Sequence, residues 1–362
     1  LPTVLLDVPF LPDVGYLDFL AENGQELESL HFSLYSDLLA DARPALERRD
    51  ALEISELLGR VIGPDKYLLL NAAFHGEAQY HDRERMRSVA ELLRLLLEGA
   101  ELRGLIWVDV YFLRALHDVA PALCAHLEAV PSVNRLLDHE DKVTALLGFV
   151  RDCGFKQPSR VILDRGLNRR PTELRRVREA LRSRHPGLRV GLLANEGCLP
   201  HCPHKPSHDA LIALGHLSGH AERTFALNRD FGCVRSVLER PQRLFSSPFL
   251  RPEDLAQVED CVDLIKICGR NNGGPAFLRR AVTAYINRSY DGNLLDLLDT
   301  LGEFADRYDV PNASLPANFY DQLTLCHGMC GLSESGCERC AALFRAHARL
   351  RTSPTLRPSD DT

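Results

Sequence analysis

The chain has 362 residues, 45% hydrophobic and 26% charged, with a formal net charge of −7 and a pI near 6.1, enough apolar material for one large core or two smaller ones. An acidic balance repels a phosphate backbone and disfavours bulk binding of nucleic acid. No apolar stretch is long enough to span a bilayer and the opening LPTVLLDVPFLPD has neither the basic region nor the cleavage site of a secretion signal, so no membrane partner and a cytoplasmic location are expected.

In chain order, short apolar runs predict strands at Val4 to Val8, Ser29 to Ser33, Tyr67 to Ala72, Leu105 to Val110, Leu127 to Val130, Arg160 to Leu163, Arg189 to Leu193 and Asp263 to Ile267. Between them lie helical patterns, among them Val89 to Glu98, Asp141 to Cys153, and Thr172 to Arg184, the last entered through Pro171. The alternation predicts an α/β fold with a (β/α)8 TIM-barrel-like core over residues 1–285, a doubly wound open sheet being the alternative. Residues 286–350 then form a helical, cysteine-rich extension. Pro275 to Asn287 and Gly292 to Tyr308 read as helices, the second from Leu294, Leu295, Leu297, Leu298 and Leu301. The tail 351–362, rich in Pro, Ser and Asp, reads as disordered. Arg165, Arg169, Arg170, Arg175, Arg176, Arg178, Arg182 and Arg184 crowd one segment and read first as a solvated helix face.

Eleven cysteines in a reducing compartment point to metal or redox use rather than to disulfides. Cys124, Cys153 and Cys261 sit in apolar contexts and read as buried hydrophobes. The densest candidate is LLANEGCLPHCPHKPSHD, beginning at the carboxyl end of the seventh strand, where a barrel builds its active site. Cys198 and Cys202 are close enough in sequence to share one metal centre. Cys233, in the connection that follows, and Cys268, which shares a face of LIKICGR with Lys266 and Arg270, complete four thiolates suited to a 4Fe-4S cluster. The run LCHGMCGLSESGCERC places Cys326, Cys330, Cys337 and Cys340 together, where a structural zinc or a second cluster is equally favoured and free thiols are the bland alternative. Asp164 and Arg165 end the sixth strand, and Glu196 and Lys266 stand near the thiols, so these are the candidate catalytic groups, with a turn and cap as the competing reading for Asp164. Asp209 is a further candidate acid or base. His75 and Asp109 stand at strand ends with no partner evident. Glycine-rich dinucleotide and nucleotide loops, H-E-x-x-H and G-x-S-x-G are absent.

The segments VILDRGLNRRPTELRRVR, ANEGCLPHCPHKPSHD, SPFLRPEDL and DLIKICGR, in this order, resemble the collagenase-like family of bacterial and archaeal proteins catalogued as peptidases of unknown catalytic type. The resemblance covers residues 130–285 well and the first 130 only by strand rhythm. It implies a barrel-like core and a likeness to members that bind a 4Fe-4S cluster and take part in oxygen-independent hydroxylation, with prephenate as oxygen donor. It therefore implies an iron-sulfur oxidoreductase acting on a small-molecule substrate. A peptidase with structural zinc, or a non-catalytic partner of a homologous chain, are the other readings. The cysteine spacing departs from the hydroxylating members, and LLANEGC stands where the peptidase signature has another run.

Overall fold

A computed structural model describes residues 4–34, 36, 38–40, 50–219, 223–270, 273–299, 302–324 and 338–351. Eight strands form one sheet: β1 Leu5–Pro9, β2 Leu27–Phe32, β3 Asp65–Leu70, β4 Leu102–Trp107, β5 Glu128–Pro131, β6 Arg160–Ile162, β7 Arg189–Leu193 and β8 Leu264–Lys266. All neighbours are parallel, in the order β5-β4-β3-β2-β1-β8-β7-β6. The two ends of that order meet through a parallel bridge between Glu128 and Lys156, which makes a nearly closed (β/α)8 barrel and removes the open-sheet alternative. All eight expected strands are present.

Strand alternation explains the layering. Val8, Leu30, Leu68, Leu105, Ala129, Val161, Leu192 and Ile265 face outward into the main core, where they meet helices such as Arg83–Ala100, Glu140–Asp152, Pro171–Arg184 and Gly274–Asn287. The opposite face gives two small apolar clusters, Tyr67, Leu69, Ile106 and Val130 on one wall and Ile162, Leu193 and Leu264 on the other. Cys124, Cys153 and Cys261 are buried, as expected of small apolar side chains.

Two expectations are corrected. Gly292 to Tyr308 is not one helix: a 3-10 turn at Leu294–Leu297 is followed by an extended bridge from Asp299 to Glu196, and a short helix appears only at Gly302–Arg307. Asn293 causes the break, because its Oδ1 accepts from the N–H groups of Leu295 and Val310 and ties this segment to the chain returning alongside it. The arginine-rich segment is not solvated throughout. Arg175, Arg176, Arg178 and Arg184 lie along the helix face in ion pairs with Asp260, Glu140, Asp263 and Asp141, whereas Arg165 and Arg169, in the turn before the helix, are buried.

A second core packs Val237, Leu244, Phe245 and Phe249 with Leu294, Leu295, Leu298, Phe304, Phe319, Leu323 and Leu343. It seats the carboxy-terminal extension over the β6 and β7 ends. No helix among the described residues is long and apolar enough to cross a membrane. The tail from 352 onward, expected to be disordered, lies outside the described residues.

Candidate functional site

The barrel lumen is organised around Asp7, in the middle of β1 and fully buried. Its Oδ1 accepts from His31 Nδ1 at 2.9 Å and from Ser29 Oγ at 3.0 Å, and its Oδ2 accepts from Lys266 Nζ at 2.7 Å. Beneath it, Arg160 lies 3.6 Å from Asp7, pairs with Glu28 at 2.5 Å, donates to Ser29, and stacks 4.0 Å from the centre of the Tyr67 ring. Tyr67 in turn donates to Glu128, which also holds Arg103 and Ser159.

This packing sets the charges. Burial opposes ionisation of Asp7, but Arg160, Lys266 and His31 outweigh it and hold its carboxyl well below the usual range. Burial pulls Lys266 down to about 8, with Asp7 opposing. Burial, reinforced by Lys266, pulls His31 down to about 3 against the pull of Asp7. His31 is therefore neutral at ordinary pH, donates through Nδ1 to the Asp7 carboxylate and leaves Nε2 as an acceptor. Lys266 keeps a mobile proton in the neutral range.

A second group stands at the carboxyl ends of β6 and β7. Arg165 and Glu196 form a nearly buried ion pair. Asp164, by contrast, caps the turn that carries Arg165, accepting from Gly166 N–H at 2.8 Å, which is the cap arrangement weighed for it. Lys205, at the start of the helix Lys205–Ser218, donates to both oxygens of Asp209 at 2.7 and 2.6 Å and to Asn134 at 3.1 Å.

The thiols lie in the same loop region. Cys202 and Cys233, brought from separate parts of the β7–β8 connection, lie near each other, and Cys198 acts electrostatically on Cys233. The neighbouring Cys233 thiol draws the Cys202 thiol down to about 6, helped by the backbone at His204, while Cys233 is pushed far up. Cys268 follows β8, with its backbone N–H on Asn195 Oδ1 at 2.7 Å and its side chain against the cluster of Ile162, Leu193 and Leu264. Soft sulfur donors are the right kind for an iron-sulfur group or zinc. Among the described residues, however, no three His, Cys, Asp or Glu side chains are arranged to hold a metal ion, so the thiols gather without forming a finished cage. Cys326, Cys330 and Cys337 lie outside the described residues. Cys340 is buried in the helix Glu338–His347, in the second core.

Across the mouth, His75 Nδ1 meets Asp109 Oδ2 at 2.9 Å, and Tyr80 donates to the same oxygen at 2.6 Å. Asp109 also caps the helix that follows β4. The sequence leaves this pair without a visible partner because Tyr80 and the two strand ends meet only in space. Asp7, His31 and Arg160 are missed altogether. A charged residue inside the apolar run LLDVP, and another opening RVILD, were the available signals, since such residues are buried only when paired.

No family model matches the chain. It is 28% identical over 198 residues to the uncharacterized protease MJ1657 of Methanocaldococcus jannaschii, an alignment covering 54% of this chain and 55% of that protein. The chain thus spans about half the length of the curated relative it matches. Among solved structures, the U32 peptidase Mk0906 aligns with a TM-score of 0.43 and 14% identity, over 60% of this chain and 79% of that one.

Proposed function

We propose that the chain is an iron-sulfur oxidoreductase that hydroxylates, or modifies in a related way, a small metabolite at the carboxyl-end mouth of its barrel. The observation that carries this reading is the meeting of Cys202 and Cys233, with Cys198 close by, on the face where barrels place their chemistry. Cys268 is the proposed fourth thiolate. A bound cluster would supply one-electron chemistry at this rim.

The chain's own residues have separable tasks. The apolar lumen walls of Leu69, Ile106, Val130, Ile162, Leu193 and Leu264 keep water from the floor of the site. Lys266, with a pKa near 8, takes up or releases a proton at Nζ, and Asp7 fixes where that atom sits. Arg165, held by Glu196, offers a cation to an acidic substrate group.

Anaerobic purification followed by iron, sulfide and zinc analysis, with electron paramagnetic resonance, tests the proposal. The expected result is a brown protein with near-equal iron and sulfide. Cys198→Ala and Cys202→Ala should bleach it and leave the far-ultraviolet circular dichroism unchanged, while His201→Ala keeps its iron. A colourless protein that holds only zinc would sink the cluster. The M. jannaschii relative is named an uncharacterized protease, which favours a second reading, a peptidase with structural zinc. In that case peptide cleavage survives in folded, metal-free protein.

A further inference from the structure

The long connection between β7 and β8 carries two helices, Lys205–Ser218 and Arg223–Phe231, that pack against each other. Two thiols bracket the pair. Cys202 stands just before the first helix and Cys233 just after the second, and the two lie near each other. The chain therefore leaves and returns at one place. On the way out it turns at His201, whose φ of 51° is left-handed.

The first helix runs along the carboxyl-end rim of the barrel from the β5 side to the β3 side. At its start Lys205 Nζ donates at 3.1 Å to Asn134 Oδ1, in the turn after β5, and Arg165 and Cys198 are close enough to act on its charge. At its end the exposed Leu217 rests against Gly76, in the connection after β3, where an added Cβ would lie 3.4 Å from the Leu217 side chain. Between these two contacts Ile212 and Ala213 are buried, yet neither belongs to any of the apolar clusters among the described residues. A helix covered on one side but standing outside both cores is held mainly at its ends. Such a segment opens at a fraction of the cost of unfolding the whole domain.

We propose that the two helices form a flap over the barrel mouth, hinged where Cys202 and Cys233 meet and latched at Asn134 and Gly76, and that its opening admits an acidic small molecule to Arg165. The need for an opening comes from Arg165 itself. It is 4% exposed, so an acid group reaches its guanidinium only when the cover moves. Lids of this kind swing on a few residues that absorb the backbone change. The flap rests on the reading of the mouth as the working face and requires no cluster.

The test is amide hydrogen exchange on the full chain, read by mass spectrometry, in the parent and in the latch variants Asn134→Ala and Leu217→Ala. In the parent, the helices Lys205–Ser218 and Arg223–Phe231 should exchange about tenfold faster than the barrel helix Pro171–Arg184. Each latch variant should raise the flap rate several-fold further and leave Pro171–Arg184 unchanged. Phenylglyoxal gives a second readout by peptide mapping: labelling of Arg165 should rise in step with flap exchange, while Arg160, beneath Asp7, stays unlabelled. Flap helices that exchange as slowly as Pro171–Arg184, or latch variants that change neither flap exchange nor Arg165 labelling, would overturn the proposal. So would equal acceleration of every segment, which marks global loss of stability. An iron-free protein that still shows the opening leaves the flap standing and removes only the cluster, whereas an iron-sulfur protein with a rigid flap removes only the flap.

Discussion

Asp7 shows how one residue sets the protonation of its neighbours. A carboxylate with no access to water survives because it receives hydrogen bonds from Ser29, His31 and Lys266 and lies near Arg160. The same burial that strains Asp7 keeps His31 neutral, with a folded pKa near 3 against an ordinary 6.5. A depressed folded pKa means that the unfolded chain binds more protons between these values, so stability is intact above pH 6.5 and falls as the solution is acidified toward 3. The slope from this one group is about 1.4 kcal/mol per pH unit once its unfolded form is protonated. Asp7 adds to the loss only below its own ordinary range, near pH 4. Urea midpoints measured from pH 7 to pH 4.5 should therefore fall less steeply in His31→Asn, whose amide can replace the Nδ1 hydrogen bond, by about one proton's slope. Identical slopes in parent and variant would show that His31 is protonated in the folded state. This network also marks the limit of the sequence for the site. Lys266 was legible from the alternation in LIKICGR, and the thiols from their spacing. The low pKa of Lys266 comes first from burial, with Asp7 of β1 opposing it and Arg160 of β6 adding to it, and only barrel closure brings these groups together.

At the scale of elements, strands were readable because each is a short apolar run punctuated by turn chemistry, and parallel strands buried on both faces have no other pattern. The segment Gly292 to Tyr308 defeated the same reasoning. Its leucines are spaced for a helix, yet they serve two cores: Leu297 joins the main cluster while Leu294, Leu295 and Leu298 join the second. A strap crossing between cores needs apolar residues on several sides, which imitates helical periodicity. The β4–β5 pairing depends on a glycine in β4. Gly104 lies opposite Glu128 of β5, and a Cβ there would overlap the Glu128 carbonyl oxygen and stand 2.8 Å from its Cβ. These are backbone-anchored atoms and do not swing away. Gly104→Ala should destabilise the fold by about 1–3 kcal/mol. Gly148→Ala, in the helix Glu140–Asp152 and with only ordinary contacts around the new methyl, should leave stability unchanged or raise it by up to about 1 kcal/mol. Chemical denaturation of both variants separates the two cases, and equal effects would remove the close-approach argument.

At the scale of the molecule, the barrel and the extension share their apolar surface. The second core takes Phe245 and Phe249 from the β7–β8 connection and Leu294, Leu295, Leu298, Phe319 and Leu343 from the chain after β8. Polar ties cross the same boundary: Asn195 donates to the Leu297 carbonyl at 3.0 Å, the Asp299 N–H reaches the Asn195 carbonyl at 2.8 Å, and Tyr320 donates to the Asn168 carbonyl at 2.9 Å. Asn195 also fixes Cys268 through its side chain, so the loop that carries the thiols is positioned partly by residues beyond the last strand. Each large apolar side chain left uncovered forfeits roughly 1.5–3 kcal/mol, and a domain is stable by only about 5–15 kcal/mol in all. A chain ending at Ser289 would uncover Phe245, Phe249 and the buried guanidinium of Arg169 together. That loss is comparable with the whole stability of a domain. The truncated protein should therefore aggregate on expression or unfold without a cooperative transition, even though it contains every strand of the barrel. Circular dichroism and thermal unfolding of the soluble fraction check this: a monomeric, cooperatively folded product with the parent's midpoint would mean that the extension is an accessory and that the barrel mouth is organised without it.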